Sequence, residues 1–259
     1  MEIPFYQVDA FTDRVFAGNP AAVCPLEEWL DDAVLQGIAA ENNLAETAFF
    51  VPENGGFHLR WFTPACEVEL CGHATLASAY IIMNKLGHNS GTVRFRAQAG
   101  ELVVTRDGDL YALDFPSRKP QRIDPPRELV EALGAEPLEV WKARDHLALY
   151  STEAQVRALR PDMRKLAAFD MWAAIITARG DAVDFVSRFF APGRGVDEDP
   201  VTGSAHCTLI PFWSERLGKK QLRALQVSPR GGELFCEDQG ERVKIAGRAA
   251  LFAEGRIYV

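Results

Sequence analysis

The chain has 259 residues, 47% of them apolar and 25% charged, with 28 Lys and Arg against 36 Asp and Glu for a net charge of −8. This ordinary globular composition excludes a disordered chain, a collagen and a coiled coil. The acidic balance disfavours nucleic acid and anionic membranes as partners. At roughly 150 residues per domain, the length suits one large domain or two small ones, with about 70–75% of the unfolded surface buried.

Ile3 to Phe11 is rich in β-formers and reads as a strand. Gly18-Asn19-Pro20 is a turn signal, and Ala21 to Cys24 a second, buried strand. Leu30, Val34, Leu35, Ile38 and Ala39 recur at helical spacing, predicting a helix to Asn42. Glu46–Val51 and His58–Phe62 read as strands joined through Pro52-Glu53-Asn54-Gly55-Gly56. Cys71-Gly72-His73-Ala74 opens a helix to about Leu86, closed by Gly87. Strands follow at Thr92–Arg96, Glu101–Arg106 and Leu110–Phe115, with Asp107-Gly108 as the last turn.

Pro116 to Pro126 is proline-rich and the best candidate linker. It divides the chain into an N-terminal half, 1–116, and a C-terminal half, 117–247. In the second half Arg127–Leu133 reads as a short helix and His146–Tyr150 as a strand. Thr152–Leu159 reads as a helix capped by Thr152. Met163–Ala168 reads as helical, Ala173–Ala178 and Ala182–Phe190 as strands. Gly203-Ser204-Ala205 opens a helix to about Leu217, closed by Gly218. Leu225–Ser228, Gly232–Glu237, Arg242–Ala246, Ala249–Ala253 and Arg256–Val259 read as closing strands. Both halves place a small-residue helix start after an acidic stretch, and Cys71-Gly72-His73-Ala74 echoes Thr202-Gly203-Ser204-Ala205. An internal duplication is expected, too long in period for a solenoid.

Five cysteines, at 24, 66, 71, 207 and 236, form no CxxC pair, which argues against a disulfide framework and a zinc site. Histidines 58, 88, 146 and 206 show no metal spacing. Met1 to Ala10 has no signal-peptide character and no run approaches 18 apolar residues, so a reducing cytoplasmic location is expected.

Chemistry concentrates at the two glycine-led helix starts. First-turn N–H groups and the positive end of the helix dipole attract carboxylates. Facing each other across a cleft, they would hold an acidic substrate; the alternative is two ordinary capped helices. His73 sits at one start, where the dipole favours neutral imidazole able to donate and accept; a capping histidine is the plainer reading. Cys71 is either a reactive thiol favoured by the same dipole or a small buried hydrophobe. Its counterpart is Thr202, so no symmetric thiol pair exists. Glu46 heads an apolar strand, where burial beside aromatics would raise its pKa towards the acid/base range; an exposed strand-edge charge is the alternative. Asp199 precedes Pro200, which favours extended backbone and aims its carboxylate in front of Gly203, with Ser204 beside it; loop charges or caps are the alternative. No GxGxxG, P-loop, HExxH or GxSxG occurs, so no nucleotide cofactor is indicated.

Several segments together resemble the PhzF phenazine-biosynthesis family: Asn42–Phe50, Arg60–Pro64, Glu67–Thr75 and Asp199–Ala205. Gln7–Phe11, Gly18–Val23 and Gly247-Arg248-Ala249 fit as well. The resemblance implies a diaminopimelate-epimerase-like α/β (α+β) fold. Its two pseudo-symmetric halves each wrap a curved, mostly antiparallel sheet around a central helix, with strands 248–259 completing the first half. It implies a cofactor-independent isomerase with Glu46 as general acid/base and His73, Asp199 and Ser204 assisting. Gly72, Ala74, Thr75, Thr202, Gly203 and Ala205 would line the substrate. The partner implied is a small carboxylic acid, with no metal and a homodimer as the assembly. Related racemases use two cysteines; Cys71 paired with Thr202 favours a one-carboxylate isomerase. A Cys71-based amino-acid epimerase and a non-catalytic small-acid binder remain as rivals.

Overall fold

A computed structural model describes residues 1–259. In chain order the elements are β1 (Glu2–Ala10), β2 (Asn19–Pro25), α1 (Asp32–Asn42), β3 (Glu46–Glu53), β4 (Gly56–Phe62), the two-residue β5 (Glu67–Val68), α2 (Gly72–Asn84), β6 (Thr92–Ala97), β7 (Gly100–Asp107) and β8 (Leu110–Pro116). There follow β9 (Gln121–Ile123), α3 (Arg127–Leu133), β10 (Glu139–Lys142), β11 (His146–Leu149), α4 (Glu153–Ala158), α5 (Met163–Ala168), β12 (Ala174–Arg179) and β13 (Phe185–Ala191). The chain closes with β14 (Val196–Asp199), α6 (Gly203–Leu217), β15 (Gln221–Gln226), β16 (Gly232–Asp238), β17 (Arg242–Gly247) and β18 (Ala249–Tyr258). Two compact units result: Met1–Asp114 with Ala246–Val259, and Phe115–Ile245.

The first unit pairs β1 with β2 antiparallel, β2 with β3 parallel, and β3 with β4 antiparallel. The short β5 joins β4 antiparallel, β6 joins β4 parallel, and β7 joins β6 antiparallel. The second unit repeats this succession. β10–β11 is antiparallel, β11–β12 parallel, β12–β13 antiparallel, β13–β14 antiparallel, β13–β15 parallel and β15–β16 antiparallel. Even the flanking strand recurs, since β18 lies antiparallel to β1 as β9 does to β10. The duplication expected from the paired helix starts, their preceding acidic stretches and their glycine stops extends through these strand pairings.

Each unit has one helix whose surface is buried on nearly all sides. In α2 the run from His73 to Ala79 is buried, as are Ile81 and Ile82. In α6 the run from Ala205 to Ser214 is buried. A helix apolar all round demands burial on every side rather than a surface position. Pro211 inside α6 cannot donate to the carbonyl of Cys207; the backbone N–H of Arg118 takes that carbonyl instead at 2.8 Å. Outer helices cover the opposite faces. In the first unit Leu35 and Ile38 of α1 pack with Phe49 and Phe62. In the second, Leu129, Leu133, Val156 and Leu166 pack with Ile176, Val186 and Phe190. No helix is long and apolar enough to cross a membrane.

Several elements depart from the sequence reading. Asn19 and Pro20 belong to β2, and the reversal lies at Gly18, whose φ is +64°. A Cβ there would meet the Ala10 carbonyl oxygen at 2.2 Å, so glycine is required twice over. The proline-rich segment is more than a linker: Gln121–Ile123 forms β9 against β10. The short β5, β10 and β14 carry too many charges for their alternation to register. In β14, Glu198 earns its place through a two-pronged ion pair with Arg188, at 2.7 and 2.9 Å. The last two expected strands are one, β18, with a bulge opposite Gln7 and Val8.

Candidate active site

In the first unit, parallel pairing sets Glu46 at the head of β3 beside Ala21 of β2. β2 begins with Asn19, and α2 begins immediately after Cys71. Three elements therefore deliver Asn19, Glu46, Cys71 and His73 to one place. His73 Nε2 lies 3.2 Å from Glu46 Oε2. His73 Nδ1 lies 3.2 Å from Asn19 Nδ2 and 3.4 Å from Cys71 Sγ. The Asn19 amide thus sits at one ring nitrogen and the Glu46 carboxylate beside the other, the latter as a contact rather than a hydrogen bond.

His73 is buried, and burial pushes its pKa down to about 4, opposed in part by a hydrogen bond to the Pro20 carbonyl. The imidazole is neutral at neutral pH. The neutral state expected from the helix-dipole position is produced here by burial. Glu46 Oε2 and His73 Nε2 are both fully shielded from water, although the Glu46 side chain as a whole keeps 20% of its exposure. The carboxylate thus has a dry side towards His73 and a wetter side.

The other expected residues of this unit fall along the first turn of α2. Gly72 is its first residue and Ala74 is fully buried. Their N–H groups precede the first intrahelical bond, which runs from Thr75 N to Cys71 O. Thr75 differs: its hydroxyl donates to the Cys71 carbonyl at 2.5 Å, so its side chain closes the helix start. Cys71 is 5% exposed.

In the second unit Asp199 ends β14 and Thr202 precedes α6. The Thr202 hydroxyl donates to Asp199 Oδ2 at 2.5 Å. Gln226 ties the pair down: its Oε1 accepts from Thr202 N at 2.8 Å, while its Nε2 donates to the Asp199 carbonyl at 2.7 Å and to Thr202 Oγ1 at 3.1 Å. Gly203 and Ala205 are buried in the first turn of α6. Arg144 donates to Ser204 Oγ at 3.3 Å while pairing with the fully buried Asp145 at 3.0 Å. Its guanidinium lies 5.1 Å from the Trp172 ring, and that of Arg194 4.1 Å from the same ring. His206 is buried, with Nδ1 donating to the Thr202 carbonyl at 2.8 Å, and burial holds its pKa near 4.

Asn19, Gln226 and Arg144 escaped the sequence reading. Asn19 was absorbed into a turn signal. Gln226 had a visible cue: Leu222, Ala224 and Gln226 share the inward face of β15, and a polar residue there needs partners. Nothing in the sequence links Arg144 to Ser204.

The profile of the PhzC-PhzF family, described as phenazine biosynthesis-like protein, matches residues 8–255. An uncharacterised isomerase of Pseudomonas aeruginosa is 51% identical over 259 residues, the full length of both chains. The crystal structure of a phenazine biosynthesis protein of the PhzF family from Enterococcus faecalis superposes with a TM-score of 0.98 at 50% identity, over 100% of both chains. A hydroxyproline epimerase from Agrobacterium vitis shares the fold alone, with a TM-score of 0.62 and 10% identity over 99% of this chain and 92% of the other.

Proposed function

The chain belongs to the phenazine biosynthesis-like protein family, and on that premise we propose that it is an isomerase moving a proton between two carbons of a small carboxylic acid, without a cofactor. The observation that carries this reading is the pairing of Glu46 with a neutral, buried His73 at 3.2 Å. Glu46 removes a proton from a carbon next to a carbonyl or carboxylate. Electron density moves onto that oxygen, where first-turn N–H groups of α2 stabilise it. Glu46 then returns the same proton to a second carbon on the same face, giving a 1,3-shift in which every atom is conserved.

His73 serves as a positioning group in this scheme. Its Nε2 lies 3.2 Å from one carboxylate oxygen, and the Asn19 amide supports the ring at Nδ1. A protonated imidazole in the same position would stabilise the carboxylate anion and weaken it as a base. Within the second unit, the guanidinium of Arg144 beside Ser204 suits an anionic ligand. One base acting on one face suits transfer between carbons, whereas inversion at a single carbon calls for two.

The contact between Cys71 Sγ and His73 Nδ1 keeps one rival in view: a thiol-based epimerase. Parallel assays of Glu46→Gln and Cys71→Ser on a panel of unsaturated and α-substituted acids separate the two. The proposal expects turnover lost in Glu46→Gln and retained within about tenfold in Cys71→Ser. The opposite pattern refutes it.

A further inference from the structure

Glu46, Cys71 and His73 offer a carboxylate oxygen, a thiol sulfur and an imidazole nitrogen that all lie within 4.8 Å of one another. The proton-transfer scheme uses the first and third and leaves the sulfur without a task. We propose that these three side chains form a binding site for a thiophilic divalent cation of the zinc class, and that the cation shuts the site down.

Ligand chemistry and geometry both point to this class. Sulfur, nitrogen and one carboxylate oxygen form a set that selects zinc over magnesium or calcium, which prefer all-oxygen shells. Zinc–sulfur bonds of about 2.3 Å and zinc–nitrogen or –oxygen bonds of about 2.0–2.1 Å, at tetrahedral angles, place ligand atoms roughly 3.3–3.6 Å apart. One such edge is present, 3.4 Å from Cys71 Sγ to His73 Nδ1, while Glu46 Oε2 approaches the other ring nitrogen, Nε2, at 3.2 Å. One ring nitrogen serves, and the longest separation closes by about an ångström through rotation of the Glu46 side chain, which is the only partly exposed ligand.

Charge balances as well. Binding releases the Cys71 thiol proton to solvent, so thiolate and carboxylate supply two negative charges to a dication beside a neutral imidazole. Three protein ligands leave a fourth position open. Inhibition, unlike binding, rests on the proposed role of Glu46: a carboxylate on the metal cannot carry a proton.

Cobalt(II) is the probe, because a thiolate ligand gives a near-ultraviolet charge-transfer band that zinc then abolishes by competition. The band is expected in the wild type and in Cys66→Ser, which removes the exposed rival thiol. It is expected to vanish in Cys71→Ser. Glu46→Gln, which keeps every thiol, is expected to weaken cobalt binding by at least about tenfold, the least that loss of a supporting group costs. Circular dichroism checks the fold of each variant, and Glu46→Gln decides the matter if Cys71→Ser misfolds. No band in the wild type, a band surviving in Cys71→Ser, a band lost in Cys66→Ser, or unchanged affinity in Glu46→Gln overturns the site. Metal binding without isomerase activity would leave this inference standing and remove the proposed function; activity without metal binding would do the reverse.

Discussion

The two units share a strand order and a buried central helix, yet their helix starts are equipped differently. At α2 the residues are Cys71, Gly72 and His73, with Glu46 and Asn19 delivered beside them. At α6 they are Thr202, Gly203 and Ser204, with Asp199, Gln226 and Arg144. Glu46 heads β3; the corresponding strand β12 begins with Ala174. One start therefore pairs a partly solvated carboxylate with a neutral imidazole. At the other, the carboxylate is engaged by its own helix cap and a guanidinium supplies the charge. The two units share a frame, and the side chains at their helix starts give each a different chemistry.

The sharpest break of that contrast is Glu46→Gln. Loss of a general base costs about 10²–10⁴-fold in turnover, and the proposal expects a loss in that range with an unchanged melting temperature. Asn19→Ala comes next. It removes the amide that supports His73 at Nδ1 and is expected to lower turnover about tenfold to a hundredfold, which a rate assay on the same substrate reads; the effect on KM should be small, because Asn19 acts through His73.

Gly18→Ala tests the backbone that carries Asn19. The added Cβ collides with the Ala10 carbonyl and the left-handed φ is strained, so stability should fall by about 1–3 kcal/mol in chemical denaturation. Thr202→Val probes the second unit. It strips hydrogen bonds from Asp199 and Gln226, for an expected loss of about 1–3 kcal/mol.

A pH effect is common to both units. His73 and His206 are each held near 4 by burial, against 6.5 ordinarily. Between those values the unfolded chain binds protons that the folded chain excludes. The stabilisation is complete above about pH 6.5 and is lost as pH falls towards 4, at up to about 1.4 kcal/mol per pH unit for each histidine. His206→Asn is expected to lower that slope in urea melts between pH 4.5 and 6.5; an unchanged slope would mean His206 is already charged in the folded chain.

Much of this frame is legible in the sequence. The helices at Arg127–Leu133, Met163–Ala168 and Gly203–Leu217 follow from periodicity and glycine stops, and Thr152 caps α4 as its type predicts, accepting from Gln155 N. Glu46 and His73 could be singled out because a charge at the head of an apolar strand and a histidine at a helix start each break a local pattern. That they meet at 3.2 Å could not be read, since it depends on parallel pairing of residues 25 positions apart, Ala21 with Glu46. The links through Asn19 and Gln226 were hidden for another reason. Both are amides whose purpose is set by partners far along the chain, and local alternation assigns them to turn or strand without saying what they hold.

The central claim, that Glu46 carries a proton between carbons, is tested most directly by proton NMR in deuterated water. Wild type and Glu46→Gln would each be incubated with cyclic and aliphatic α-substituted and unsaturated acids. The account predicts a shifted double bond, or deuterium entering one carbon position, with the wild type alone. Equal exchange or isomerisation by Glu46→Gln would contradict it.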